Sequence, residues 1–183
     1  MKARIVVLIT SAYLAACAGP TLRPSLSPAP PKREALLVLP GFGYGNAGGE
    51  SFRALADSMA RDGVDLYVPA YLTRSGLATS REKLERFIRD NRLNRYERLH
   101  VFAFLAGGWT LNPLVERDAL PNLVSVIYDR SPFQERAPKI AVTQLRTLAW
   151  LRYGSTVFDV ARTPYQAFEA PGLKRLELAE FAP

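Results

Sequence analysis

Four short, almost wholly apolar runs recur along the chain, each followed by a stretch with helical spacing. No other feature constrains the fold as much. The runs are residues 35–39, 64–68, 100–105 and 123–128. A run of this length without polar alternation suits a strand covered on both faces. After the first run, Phe52, Leu55, Ala56 and Met59 fall on one helical face that ends at Asp62-Gly63. After the second, Thr79 or Ser80 is placed to cap a helix whose inward face is Leu84, Phe87 and Ile88. The third is followed by a helix from Trp109 towards Leu120. The fourth precedes one helix over 138–151, with Ile140, Leu145, Leu148 and Trp150 as its packing residues. Residues 174–179 read as an edge strand. Apolar strands alternating with helices build a parallel sheet between two helical layers. The expectation is therefore an α/β protein: a three-layer α/β/α sandwich on a mostly parallel sheet, formed by residues 34–183.

The first 33 residues do not belong to that pattern. Lys2 and Arg4 precede an apolar run over residues 5–16, too short to cross a hydrocarbon core of ~30 Å but suited to an export signal. It ends Leu14-Ala15-Ala16-Cys17, which resembles the lipobox of bacterial lipoproteins. That resemblance implies cleavage after residue 16 and acylation of Cys17 with diacylglycerol, followed by palmitate-type acylation of the new amino group. Ala18 in the next position implies, by the same resemblance, an outer-membrane lipoprotein facing the periplasm. An ordinary secretory signal is the alternative, since Ala16 and Ala18 also have the spacing of a small-residue cleavage site. Two or three acyl chains anchor durably, at about 0.8 kcal/mol per buried CH₂. Residues 17–33 contain Pro20, Pro24, Pro28, Pro30 and Pro31 and read as an extended tether.

Charge and side-chain chemistry exclude several functions. Lys and Arg number 24 against 17 acidic residues, a net charge of +7. The excess helps a tethered domain sit near anionic headgroups. It is spread too thinly for a nucleic-acid interface, and the densest basic stretch, 81–98, interleaves Glu82, Glu85, Asp90 and Glu97. One cysteine (Cys17) and one histidine (His100) cannot make a four-ligand Cys/His zinc site. No metal and no cofactor is expected. Gly43-x-Gly45-x-x-Gly48 has the spacing of a dinucleotide-binding turn, but no acidic residue closes the second strand to hold a ribose; Asp65 lies inside it.

In a parallel sheet, ligands gather at the carboxyl ends of the strands, here the loops 41–49, 70–76, 106–109 and 129–136. The order of motifs resembles the α/β-hydrolase family: strand, Pro40-Gly41-Phe42-Gly43, helix, strand, helix, then a strand and tight glycine turn into a helix. That family ends the later strand in Gly-x-Ser-x-Gly. The corresponding segment is Ala103-Phe104-Leu105-Ala106-Gly107-Gly108, so the glycines match and the nucleophile position holds Leu105. Leucine has no lone pair to attack a carbonyl. His100 precedes the third strand's apolar body, ~16 Å from Leu105 at ~3.3 Å per residue, whereas the family places its histidine after the last strand. The catalytic residues of a Ser-His-Asp triad are absent.

What remains is binding. Gly41, Phe42, Gly43, Arg74, Ala106, Trp109, Asp129, Arg130, Ser131 and Arg136 are the candidate ligand-binding residues. Guanidinium groups and open backbone N–H groups favour a carboxylate or phosphate. The expected function is a membrane-anchored, non-catalytic α/β-hydrolase-like domain, a pseudoenzyme that binds or scaffolds. Its partners would be the membrane itself and an anionic or lipidic small ligand or envelope protein. Two alternatives stand: a hydrolase of esterase or lipase type with its site relocated to Asp129, Ser131 and Glu135, and a purely structural envelope protein whose hollow is filled by Phe104, Leu105 and Trp109.

Overall fold

The computed structural model describes residues 34–42, 49–129, 136–165 and 172–178. The leader, Cys17 and the proline-rich segment lie outside them, as do Gly43, Arg130, Ser131 and Glu135.

Five strands form one sheet: β1 (Glu34–Leu39), β2 (Val64–Tyr67), β3 (Arg98–Phe104), β4 (Leu123–Asp129) and β5 (Lys174–Leu178). Their order is β2-β1-β3-β4-β5 and every pairing is parallel. The first four coincide with the apolar runs, and the tail supplies the expected edge strand. Helices α1 (Gly49–Arg61), α2 (Leu77–Asp90) and α3 (Gly107–Glu116) follow β1, β2 and β3. Three shorter helices, α4 (Arg136–Gln144), α5 (Arg146–Tyr153) and α6 (Thr156–Arg162), lie between β4 and β5.

Strand alternation sorts the side chains into two layers of core. Ala35, Leu37 and Leu39 of β1 point to the same side as Leu99, Val101 and Ala103 of β3 and Val126 and Tyr128 of β4. They pack with Leu84, Phe87 and Ile88 of α2 and with Leu111 and Leu114 of α3. On the opposite face, Val38 and Leu66 meet Val68, Leu36 and Phe102 beneath Ala56 and Met59 of α1. The result is the three-layer sandwich. Tyr128, fully buried, donates its hydroxyl hydrogen to Asn112 Oδ1 at 2.7 Å.

Two expectations need correction. The single helix over 138–151 is two helices, broken at Leu145, whose backbone (φ −125°, ψ 37°) leaves the helical region. Its supposed packing residues Ile140, Leu145, Leu148 and Trp150 are all exposed, and the residue turned inward on α5 is the small Ala149. Helix α5 packs mainly beside α4 and α6, and its large apolar residues are not the ones covered there. The third helix, α6, was not foreseen.

The cap of α2 is the second correction. The helix begins at Leu77, before Thr79 and Ser80, and neither caps it. Ser80 Oγ instead donates to Gly76 O and accepts from Thr73 N, at 2.9 and 3.0 Å. The open N–H groups of the first turn are met from α6: Gly76 N donates to Thr156 Oγ1 and Leu77 N to Asp159 Oδ2, both at 2.9 Å. A carboxylate at a helix amino terminus also complements the helix dipole.

Candidate functional site

The sheet reverses its winding between β1 and β3, because β1 is followed outward by β2 and β3 by β4. That reversal puts the carboxyl ends of β1 and β3 beside a crevice, the place where such sheets bind ligands. In register, Leu39 lies opposite Ala103 and Phe104 opposite Asp129. Pro40–Phe42, Leu105–Ala106 and Asp129 therefore meet at one edge, as the sequence pattern indicates. The 70–76 loop joins them through Tyr71, fully buried, whose hydroxyl donates to Pro40 O at 3.0 Å. Burial pushes the Tyr71 phenol above its ordinary pKa, so it stays a neutral donor.

At the centre of this edge is the bend from β3 into α3. Leu105 has φ +49°, a left-handed conformation rare for a residue with a branched hydrocarbon side chain. Its N–H is held by Asp129 O at 3.1 Å. A sharp, strained strand-to-helix turn of this kind is how an α/β-hydrolase presents its nucleophile. Here the side chain presented is leucine. Gly41 accommodates it: a Cβ on Gly41 would lie 2.7 Å from Leu105 Cβ and 3.0 Å from Phe104 O. Gly107 serves the other side of the bend, where a Cβ would come within 3.0 Å of Leu39 O. Gly41 thus makes room for the bend and Gly107 for the close packing of α3 on β1, with no nucleophile needed to explain either.

Apolar and aromatic groups cover the bend. Ala106 and Trp109 pack with Leu77 and Val160, and Phe42, Leu72 and Tyr165 close around them. Trp109 and Tyr165 are edge to face at 4.9 Å, and Phe42 and Tyr153 are tilted at 5.0 Å. The Trp109 indole N–H donates to Thr163 O at 3.0 Å, tying the end of α6 over the bend. Among the described residues, aromatic rings pack around this edge.

The candidate binding residues fall into three groups. Gly41, Phe42, Ala106, Trp109 and Asp129 come together as expected. Arg74 lies on the adjoining loop, where its guanidinium donates to the carbonyls of Trp150 and Leu151 at 3.1 and 2.7 Å. Arg136 opens α4, its side chain outside the described set, together with Gly43, Arg130 and Ser131.

A polar cluster escaped the sequence reading. His100 Nδ1 lies 2.7 Å from Ser125 Oγ and its Nε2 lies 3.2 Å from Glu34 Oε2, while Arg98 pairs with the same carboxylate. The signal was register: Glu34, His100 and Ser125 share one face at the amino-terminal half of β1, β3 and β4. A histidine bridging a hydroxyl and a carboxylate has the outline of a catalytic trio. The strand pairing shifts register between Leu99 and His100, and the trio lies at the opposite end of the sheet from the bend between β3 and α3. Burial first, and the Arg98 charge second, lower the His100 pKa below its ordinary value. The neutral ring with its proton on Nε2 satisfies both partners. The sign of the pH effect follows. As pH falls below about 6.5 the unfolded chain takes up a proton that the native ring resists, so stability is lost down to the lowered native pKa and is fully present above that window. Urea midpoints measured above and below about pH 6.5, the ordinary histidine value, should diverge more in the wild type than in His100→Asn. Equal divergence would remove His100 from the account.

The fold and the bend define the class: an α/β/α sandwich on a parallel sheet, similar in fold to α/β-hydrolases, with a leucine at the strained turn from β3 into α3. Solved structures support the fold. The mature form of the Bacillus licheniformis lipase BlEst2 superposes with a TM-score of 0.52 at 16% identity, over 78% of this chain and 61% of the lipase. AbyA5 gives a TM-score of 0.51 at 17% identity, over 89% of this chain and 55% of that one. The chain thus spans less than two thirds of either structure. No protein-family model matches the sequence, and no curated protein matches it.

Proposed function

We propose that this chain is a membrane-anchored lipoprotein, acylated at Cys17, whose hydrolase-like domain binds or scaffolds without catalysing. The observation that carries this reading is Leu105 at the positive-φ bend, packed on Gly41. A hydrocarbon there supplies no nucleophile, and the histidine, His100, sits at the other end of the sheet in a structural cluster. The aromatic cover over the bend, and the use of Arg74 to hold α5, favour a scaffolding role in the envelope over capture of a small anion. They equally suit the purely structural reading. The leader pattern and residue 18 support attachment to the outer membrane facing the periplasm.

The test has two arms. In bacteria fed a palmitate analogue, the full chain is expected to take up label, and Cys17→Ser to lose it. An unlabelled wild type would remove the anchor. On an ester panel the wild type is expected to show no turnover, and Leu105→Ser none either, since the chain's one histidine, His100, lies at the opposite end of the sheet from the bend. Turnover abolished by Ser131→Ala would replace the non-catalytic reading with the relocated site at Asp129, Ser131 and Glu135.

A further inference from the structure

The helix pair α4–α5 turns apolar side chains to solvent and carries only one sign of charge. Leu148 is 62% exposed and Trp150 55%, with Leu145, Leu151 and Ile140 also exposed. Isolated surface leucines need no explanation, but five large apolar residues over two short adjoining helices do. The orientation of α5 is fixed. Ala149 is buried and Tyr153 half-buried, marking the inner face, while Arg74 grips the carbonyls of Trp150 and Leu151. Leu148 and Leu151, three residues apart, therefore share the outward face, with Trp150 beside them.

Residues 136–158 contain no Asp or Glu and four basic residues: Arg136, Lys139, Arg146 and Arg152. Arg146 lies over the Phe158 ring of α6 at 5.8 Å and Arg152 over the Tyr153 ring at 5.7 Å, and both residues are exposed. An apolar crest carrying tryptophan, flanked by arginines and free of carboxylates, is complementary to a surface with anionic headgroups above hydrocarbon. No described helix is long and apolar enough to cross a membrane. Helices of 9 and 8 residues can instead lie in the headgroup plane.

We propose that α4–α5 is a docking face for an anionic lipid surface, inserting Leu148, Leu151 and Trp150 between headgroups while Arg146 and Arg152 pair with phosphates. The proposal concerns how the domain lies on a bilayer and does not require acylation of Cys17. A tether alone would leave the domain free to stand away from the surface; docking would lay it down with α5 beneath.

Trp150 is its own reporter, because the other tryptophan, Trp109, is buried. The full chain would be reconstituted by detergent removal into vesicles with brominated acyl chains. One set would contain equal parts phosphatidylcholine and phosphatidylglycerol, the other phosphatidylcholine alone. Quenching and a blue shift of Trp150 emission are expected in the anionic vesicles, absent from Trp150→Phe and unchanged in Cys17→Ser. In Arg146→Glu/Arg152→Glu the docked-to-undocked ratio should fall about tenfold or more, and Leu148→Gln should lower it with the charges intact. A chain that sediments with anionic vesicles while Trp150 stays unquenched would overturn docking and leave the anchor standing. Equal quenching in both lipids, or a blue shift without lipid that grows with protein concentration, would overturn it as well; the latter would assign the face to a second copy of the chain.

Discussion

Gly154→Ala is expected to destabilise the protein by about 3 kcal/mol, combining a left-handed backbone cost of about 1–2 kcal/mol with forced repacking of similar size. Gly154 ends α5 with φ 66° and ψ −150°, a region essentially reserved for glycine. A Cβ at this position would lie 2.1 Å from Arg74 O, a backbone atom that cannot swing away as a side-chain tip would. The same carbonyl accepts from Ser155 N at 2.8 Å and Ser155 Oγ at 3.1 Å, so moving it breaks the seam that joins α4–α6 to the sheet. Beside it, Gly76 N and Leu77 N lose their acceptors on Thr156 and Asp159 if α6 shifts. Urea denaturation measures the loss. A midpoint unchanged from wild type would mean that the seam is not closed as described. A free energy lowered with a reduced denaturant slope would mean that α4–α6 unfolds separately from the sheet.

That seam also shows where sequence reading reaches its limit. The strands were legible because a strand buried on both faces must be apolar throughout, a one-dimensional signal in 35–39, 64–68, 100–105 and 123–128. The bend at Leu105 was legible because Gly107 and Gly108 follow a strand and open a helix. The cap of α2 was not: its acceptor, Asp159, lies 82 residues from Leu77 and carries no local mark. Nor was the orientation of α5, since nothing in the local sequence marks Ala149 as the residue turned in and Trp150 as the one turned out. The cluster of Glu34, His100 and Ser125 required the register of three strands before its members became neighbours. Local chemistry is written locally; a fit between distant segments is not.

Gly41→Ala is expected to destabilise by about 1–3 kcal/mol, and most of that loss should disappear in a Leu105→Gly background. The new methyl group would meet Leu105 Cβ at 2.7 Å and Leu105 Cδ1 at 3.1 Å, leaving Phe104 O at 3.0 Å as the remaining close contact. Removing the leucine side chain opens that space and also relieves the left-handed strain at φ +49°, against the loss of the leucine's own packing. The two sites are therefore coupled, and a double-mutant cycle should return an interaction of about 1–2 kcal/mol. Additive losses would mean that the Leu105 side chain does not lie over Gly41. The hollow would then be open at the nucleophile bend, and the argument that hydrocarbon fills the place of a reactive hydroxyl would fail with it. The cycle thus tests, by stability alone, the one contact on which the non-catalytic reading rests. It does so without a substrate, which no assay of activity on an unknown ester can do.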